Sequence, residues 1–353
     1  MTSKILIVGY GFAGKRMHTV LNYSNQNHKN AFRQIVIADP KMTGQVDGVL
    51  ATYHDVEQAL KHHRFEAAIV TVNEEHHHGI LKRLTEADIP RILCEKPLTA
   101  TLDEAKELEP ALSAKIFSMN LVERFSPVFK DFFAWRNTVE TLKPVRVQLY
   151  WGKNRVRDCR PTMGVLSEAI HPLDLASFAF GIREIDVIGG FMHHSNFSNR
   201  PEDAIADSLH CKLISEDRCI ISAHASFTWM SRRREMFAHL VGAKDSYIVH
   251  FTFDMPRWDC DSVTVSRIDP KDGHRTTVLQ KSYTNQNFPE PLDQLSKVYR
   301  FVTRSIDDKP ARMNEPDSIV GLEQAMRLQT WLEQIHLALE PQSKGQAEKL
   351  FAS

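Results

Sequence analysis

Apolar residues along this chain fall into two regimes that change over near residue 120. In the first, short unbroken apolar runs at residues 4–8, 34–38, 67–72, 91–95 and 115–119 alternate with segments of helical period at 15–21, 56–61, 80–87 and 102–108. Runs of this length suit strands covered on both faces, and their alternation with helices predicts a doubly wound parallel sheet. In the second regime a helix from residue 126 and a strand at 145–151 lead to an apolar helix at 164–180, stopped by Gly181. Strand-like runs then recur at 185–189, 208–214, 218–227, 236–241 and 246–251, separated by short polar turns. That spacing predicts a large, mainly antiparallel, open sheet. Helices at about 291–305 and 316–337 follow. The fold class expected is therefore α/β plus α+β. Residues 1–120 would form the parallel-sheet domain, 121–338 the α+β domain with the antiparallel sheet, and 339–353 a polar tail.

Length supports two domains, since 353 residues exceed what one core usually serves. Lysine plus arginine equal aspartate plus glutamate at 44 each, so no bulk field favours nucleic acid or an anionic membrane as partner. No apolar run approaches a membrane span, and the first residues lead into a strand without a signal-peptide pattern. The five cysteines are scattered without metal-ligand spacing. A reducing cytoplasm is the expected location.

The first strand runs directly into Gly9-Tyr10-Gly11-Phe12-Ala13-Gly14 and then a helix. In that setting the G-x-G-x-x-G pattern reads as a dinucleotide cradle. Gly9 allows the turn, Gly11 lets backbone approach a pyrophosphate, Gly14 lets helix pack on strand, and the helix start with Phe12 and Ala13 offers amides to phosphate. Asp39 ends the second strand, where a carboxylate accepts ribose hydroxyls and repels a 2′-phosphate. NAD is the expected cofactor, with NADP kept open by the nearby Lys41. Thr71, Asn73 and His76 lie at the carboxyl end of the third long run, on the same side. The triplet His76-His77-His78 invites a metal reading, but adjacent histidines on a helix diverge and no cluster completes a site, so it reads as a solvated helix start with His76 toward the cleft. Glu95 and Lys96 close the next strand, which Pro97 stops. A lysine delivered there can bind a substrate oxygen.

Cys94-Glu95-Lys96-Pro97, the turn from Val72-Asn73 to His76, and the segment from Gly164 to Asp174 together resemble the glucose-fructose oxidoreductase, inositol dehydrogenase and rhizopine-catabolism group, Gfo/Idh/MocA, over residues 4–337. The family usually has Thr-Pro-Asn where Val72 stands here. Its Asp-x-Gly-x-His-x-x-Asp segment matches at His171 and Asp174, while its aspartate falls on Ser167 and its glycine on Ala169. The resemblance implies that Lys96 contacts the reacting hydroxyl and that His171 takes its proton. Glu168, three residues before His171, is the candidate to supply the missing carboxylate, although Pro172 disfavours regular helix at His171. The segment through Glu123 and Arg124 is similar to one in members that act on nucleotide-linked amino sugars. Arg155, with Arg157 and Arg160, follows a strand where a substrate anion could be held. Ser231-Arg232-Arg233-Arg234 reads as a surface turn or subunit contact.

The function expected is NAD(P)-dependent interconversion of a secondary alcohol and a ketone on a carbohydrate or cyclitol. The glycine motif and the resemblance imply that residues 1–120 bind NAD(P) and that 121–338 bind the substrate and oligomerise. The substrate would be bound by Lys96, Glu123, Arg124, Arg155, Ser167, His171 and Asp174, without a metal, in a homodimer or homotetramer. Two alternatives are an imine or enone reductase of a non-sugar metabolite, and a cofactor-binding regulator without turnover.

Overall fold

The computed structural model describes residues 3–27, 33–156, 164–193, 206–307 and 318–351. The chain divides into two compact units: Met1–Phe125 with Glu290–Arg312 and Asp317–Gln329, and Ser126–Pro289 with Met313–Pro316 and Thr330–Ser353.

The sheet of the first unit contains β1 (Ser3–Val8), β2 (Arg33–Ala38), β3 (Ala51–Tyr53), β4 (Ala67–Val70), β5 (Arg91–Glu95) and β6 (Ile116–Asn120). Its order is β3-β2-β1-β4-β5-β6, with every pair parallel. Ile5, Leu6, Ile7, Ile37 and Leu93 are fully buried, as expected of strands covered on both faces. Each such side chain stabilises the unit by roughly 2 kcal/mol. The direction of strand progression reverses between β1 and β4, which places the ligand crevice outside their carboxyl ends. Helices α1 (Phe12–Asn27), α2 (Val56–His62), α3 (His77–Glu86) and α4 (Leu102–Leu112) make the crossovers. A capping box between Thr101 and Glu104 starts α4. The late helix α7 (Ser296–Asp307) also packs in this unit, with Tyr299 edge-on to Tyr23 at 5.3 Å.

The second unit is built on an eight-stranded sheet: β7 (Lys143–Asn154), β8 (Ile185–His193), β9 (Ser208–Ser215), β10 (Ile220–Ser226), β11 (Thr228–Val241), β12 (Ser246–Thr252), β13 (Asp261–Ile268) and β14 (Arg275–Tyr283). The order is β14-β13-β12-β11-β7-β10-β9-β8, and only the β7–β10 pair is parallel. Helices α5 (Pro127–Arg136) and α6 (Leu166–Phe180) cover one sheet face, around Phe129, Phe132, Phe251 and Phe253. The last helix, α8 (Leu322–Phe351), continues through the segment expected to be a polar tail. No helix among the described residues is long and apolar enough to cross a membrane.

Three departures from the sequence reading have physical causes. Helix α6 runs unbroken through His171 and Pro172. Proline there removes one amide donor, and a helix buried on nearly every side tolerates that loss. Strands β13 and β14 were not predicted: β14 is an exposed, mostly polar edge, and β13 has only two buried apolar positions, interleaved with polar ones. The Ser231–Arg234 stretch is no turn. It lies within β11, where the ladder with β7 shifts register between Thr228 and Arg233, and Arg234 is 1% exposed.

Candidate active site

In the first unit the glycine turn is fixed from three directions. The Gly9 amide donates to the Ala38 carbonyl at 2.9 Å. The Asp39 carboxylate accepts from the amides of Tyr10 at 2.6 Å and Lys41 at 2.7 Å. The Thr71 hydroxyl donates to the Gly9 carbonyl at 2.6 Å, with the Val8 carbonyl 3.1 Å away. Gly9 has φ of +89°, a conformation that disfavours any side chain. A Cβ at Gly14 would lie 2.1 Å from the Gly9 carbonyl oxygen, whereas one at Gly11 would meet nothing within 4 Å. The turn therefore fits a dinucleotide: close-packed at Gly14, open at Gly11, and set at the amino terminus of α1.

This difference makes a prediction. Gly14→Ala should destabilise the protein by about 1–3 kcal/mol, read as a lower Tm, and should weaken NADH binding. Gly11→Ala should leave stability within about 0.5 kcal/mol while weakening NADH in a fluorescence titration. Undiminished binding by Gly11→Ala would remove the pyrophosphate from this turn.

Phe12 is 68% exposed at the first position of α1, with Ala13 half-buried beside it. After β4, Asn73 precedes a 3₁₀ turn of Glu74–His76, and His76 is exposed beside Glu75. The fully buried histidine of the triplet is His77. Its Nδ1 lies 2.8 Å from the Pro97 carbonyl and its Nε2 lies 3.2 Å from that of Val72. Burial lowers its pKa, and the two carbonyls oppose that shift. His77 thus fastens the turn after β4 to the Lys96–Pro97 turn. Sequence reading passed it over because nothing local distinguishes three adjacent histidines. Glu95, the last residue of β5, and Lys96, immediately past it, are half-buried, and Asn120, at the end of β6, donates to Glu95 Oε1 at 2.6 Å. Glu123 and Arg124 lie in a buried 3₁₀ turn, where Arg124 donates to Gln324 at 3.0 Å.

The second unit gathers a different group. Gly164, at φ +81°, admits the Ala206 carbonyl where a Cβ would be only 2.6 Å from it, and α6 starts two residues later. Ser167 and Glu168 stand four and three residues before His171 on α6 and Asp174 three after it, which puts them on one flank, and all are buried. The Ser167 hydroxyl donates to the Gly164 carbonyl at 3.2 Å. Glu168 pairs with Lys153 at 2.5 Å and with Arg155 at 3.8 Å. The Arg155 guanidinium also lies 4.8 Å from the centre of the Phe227 ring. Arg157 and Arg160 fall outside the described residues. The imidazole of His171 stacks on the indole of Trp151, centroids 5.2 Å apart and planes 16° from parallel.

Sequence reading missed Trp151 and Lys153 as neighbours of α6. The signal was present: Val147, Leu149 and Trp151 alternate onto the core side of β7, and continuing the alternation puts Lys153 there too. Among the described residues, no group of three or more His, Cys, Asp or Glu is placed to hold a metal ion. The cysteines at 94, 211, 219 and 260 are buried thiols, and burial raises those of Cys94, Cys211 and Cys219.

No curated protein sequence matches this chain. Among solved structures, levoglucosan dehydrogenase in complex with NADH is similar at 14% identity and a TM-score of 0.75, over 97% of this chain and 98% of that one. An oxidoreductase domain protein from Kribbella flavida is 17% identical with a TM-score of 0.72, over 98% of each chain. A UDP-N-acetylglucosamine 3-dehydrogenase from Acidithiobacillus ferrooxidans is 14% identical with a TM-score of 0.65, over 97% of this chain and 99% of that one. At such identities these likenesses show the fold. The sequence itself matches a family model, described as the GFO_IDH_MocA oxidoreductase family with an NAD-binding Rossmann fold, over residues 3–115. Residues 3–115, with their glycine turn and the Lys96–Pro97 turn, thus match the NAD-binding Rossmann domain of the Gfo/Idh/MocA oxidoreductases.

Proposed function

We propose that this protein interconverts a secondary alcohol and a ketone on a sugar, sugar phosphate, nucleotide sugar or cyclitol, using NAD(H). The observation that carries this reading is Lys96, an ammonium set directly past β5 at the carboxyl end of a parallel sheet in an NAD-binding unit. The dehydrogenases of levoglucosan and UDP-N-acetylglucosamine that share the fold support a carbohydrate substrate. NAD, when bound, supplies the hydride acceptor or donor. Lys96 binds the substrate oxygen and stabilises its developing negative charge. His171 takes the hydroxyl proton in oxidation and returns it in reduction. Glu168 pairs with both Lys153 and Arg155 from the helix that carries His171, offsetting one of their two positive charges. Asp174 and Ser167 complete that flank, and Asp39 accepts the adenosine ribose hydroxyls.

The role of Asp39 is tested by titration. Each of its oxygens already accepts one amide, which leaves the remaining lone pairs for a ribose diol. Asp39→Ala should narrow the preference for NADH over NADPH, and should weaken both because the Tyr10 amide loses its acceptor. Wild-type protein that bound NADPH at least as tightly as NADH would overturn the assignment.

Self-association through the outer face of the eight-stranded sheet belongs to the same reading. That face carries Tyr150, His224, Trp229, Phe237 and His250 as a continuous set of ring contacts, and Arg233 lies over Tyr150 at 4.2 Å. Burial already lowers the pKa of His224, His239 and His250. Covering them further disfavours their protonation, so association should be strongest above about pH 7 and weaken toward about pH 5. Sedimentation showing only monomer at micromolar concentration and neutral pH would contradict this.

A further inference from the structure

The stack of His171 on Trp151 is the inner end of a longer column. Trp151 is 1% exposed and stands directly opposite Arg234 in the β7–β11 ladder. The Arg234 guanidinium lies 4.7 Å from the centre of the Trp151 ring system, and it lies 4.8 Å from that of Trp258. Arg234 Nη1 donates to Asp254 Oδ2 at 2.5 Å, between side chains that are 1% and 0% exposed. Asp254 is itself anchored: its amide donates to Asp261 Oδ1 at 2.7 Å, and its Oδ1 accepts the Asp259 amide at 2.9 Å. A loop, an ion pair, an indole and an imidazole are thus connected in series.

We infer that Trp151 is a positioning residue of His171, with the Arg234–Asp254 pair holding the indole in place. The inference rests on the reading of His171 as the proton-transfer group. A flat aromatic support sets the plane of the imidazole and leaves proton exchange to its edge, which is the geometry a base needs. The support comes from the ring and not from the indole N–H. Trp151 Nε1 is buried without an acceptor among the described residues, and a buried donor without a partner costs stability. Phenylalanine should therefore serve, whereas a side chain without a flat face should not.

The test compares wild type, Trp151→Phe, Trp151→Leu and His171→Asn as full-length proteins. Crystal structures with NADH bound show the ring directly. NAD reduction with levoglucosan, myo-inositol and UDP-N-acetylglucosamine gives rates, and thermal melts control for folding. Trp151→Phe should keep a single His171 orientation, melt no lower than wild type, and retain kcat within about threefold. Trp151→Leu should show His171 rotated or in several orientations, with kcat reduced at least about tenfold and KM for NAD little changed. If Trp151→Leu does not fold, Trp151→Met carries the same expectation. An unchanged His171 ring in the leucine or methionine variant would overturn the inference. So would a phenylalanine variant as impaired as leucine, since that would make the N–H the working group. Full activity in His171→Asn would remove the base assignment instead, and the ring orientations would still decide the positioning question.

Discussion

Lys96→Ala is expected to slow turnover at least a hundredfold, equivalent to roughly 3 kcal/mol of barrier. Oxidising an alcohol to a ketone passes through an oxygen that becomes anionic as its proton leaves. A cation at that oxygen is worth more in the transition state than in the ground state, so its loss should appear mainly in kcat. Lys96 lies past β5, while the glycine turn follows β1 and is held by Ala38, Asp39 and Thr71. NADH affinity should therefore change little. Initial rates and a calorimetric titration on the same preparation separate the two quantities. A Lys96→Ala protein with wild-type kcat would exclude the lysine from the reaction, and one with lost NADH binding would make it a cofactor residue instead.

Asp254→Asn should produce the largest loss of stability, about 3 kcal/mol or more. Arg234 and Asp254 are an ion pair with side chains 1% and 0% exposed. Neutralising the aspartate leaves a guanidinium that water does not reach and that cannot lose its proton. Asparagine is the informative replacement because residue 254 has φ of +52°, which asparagine tolerates better than alanine. Thermal unfolding should show Tm lower by roughly 10 °C, given about 2–4 °C per kcal/mol for a chain of moderate size. Replacing both partners with apolar residues of similar volume should recover most of the loss. A Tm within about 2 °C of wild type would mean that the pair contributes little, and the column behind His171 would lose its anchor.

The parallel sheet was legible in the sequence because its strands are continuous apolar runs, and because the glycine turn and the Lys96–Pro97 stop mark the carboxyl ends of two of them. Helix α6 was legible from its apolar period and from Gly181, which adopts the left-handed conformation that ends it. The three-residue β3 is too short to leave a pattern, and β14 faces solvent. Residues whose meaning depends on distant partners were not legible. Arg234 reads as one of three surface arginines until Asp254, twenty residues away, is placed against it. His77 gains its role from Pro97, also twenty residues on. Lys153 could have been placed by extending the alternation of β7, but its pairing with Glu168 could not, since Glu168 had an equally reasonable partner in His171 on its own helix.

The most direct measurement is nicotinamide absorbance, followed in both directions across a panel of sugars, sugar phosphates, nucleotide sugars and cyclitols, with wild type and Lys96→Ala side by side. At least one alcohol or ketone of this class should give saturable turnover with wild type and a rate at least about a hundredfold lower with Lys96→Ala. Saturable NADH binding with no absorbance change on any member, or turnover that Lys96→Ala leaves intact, would contradict it.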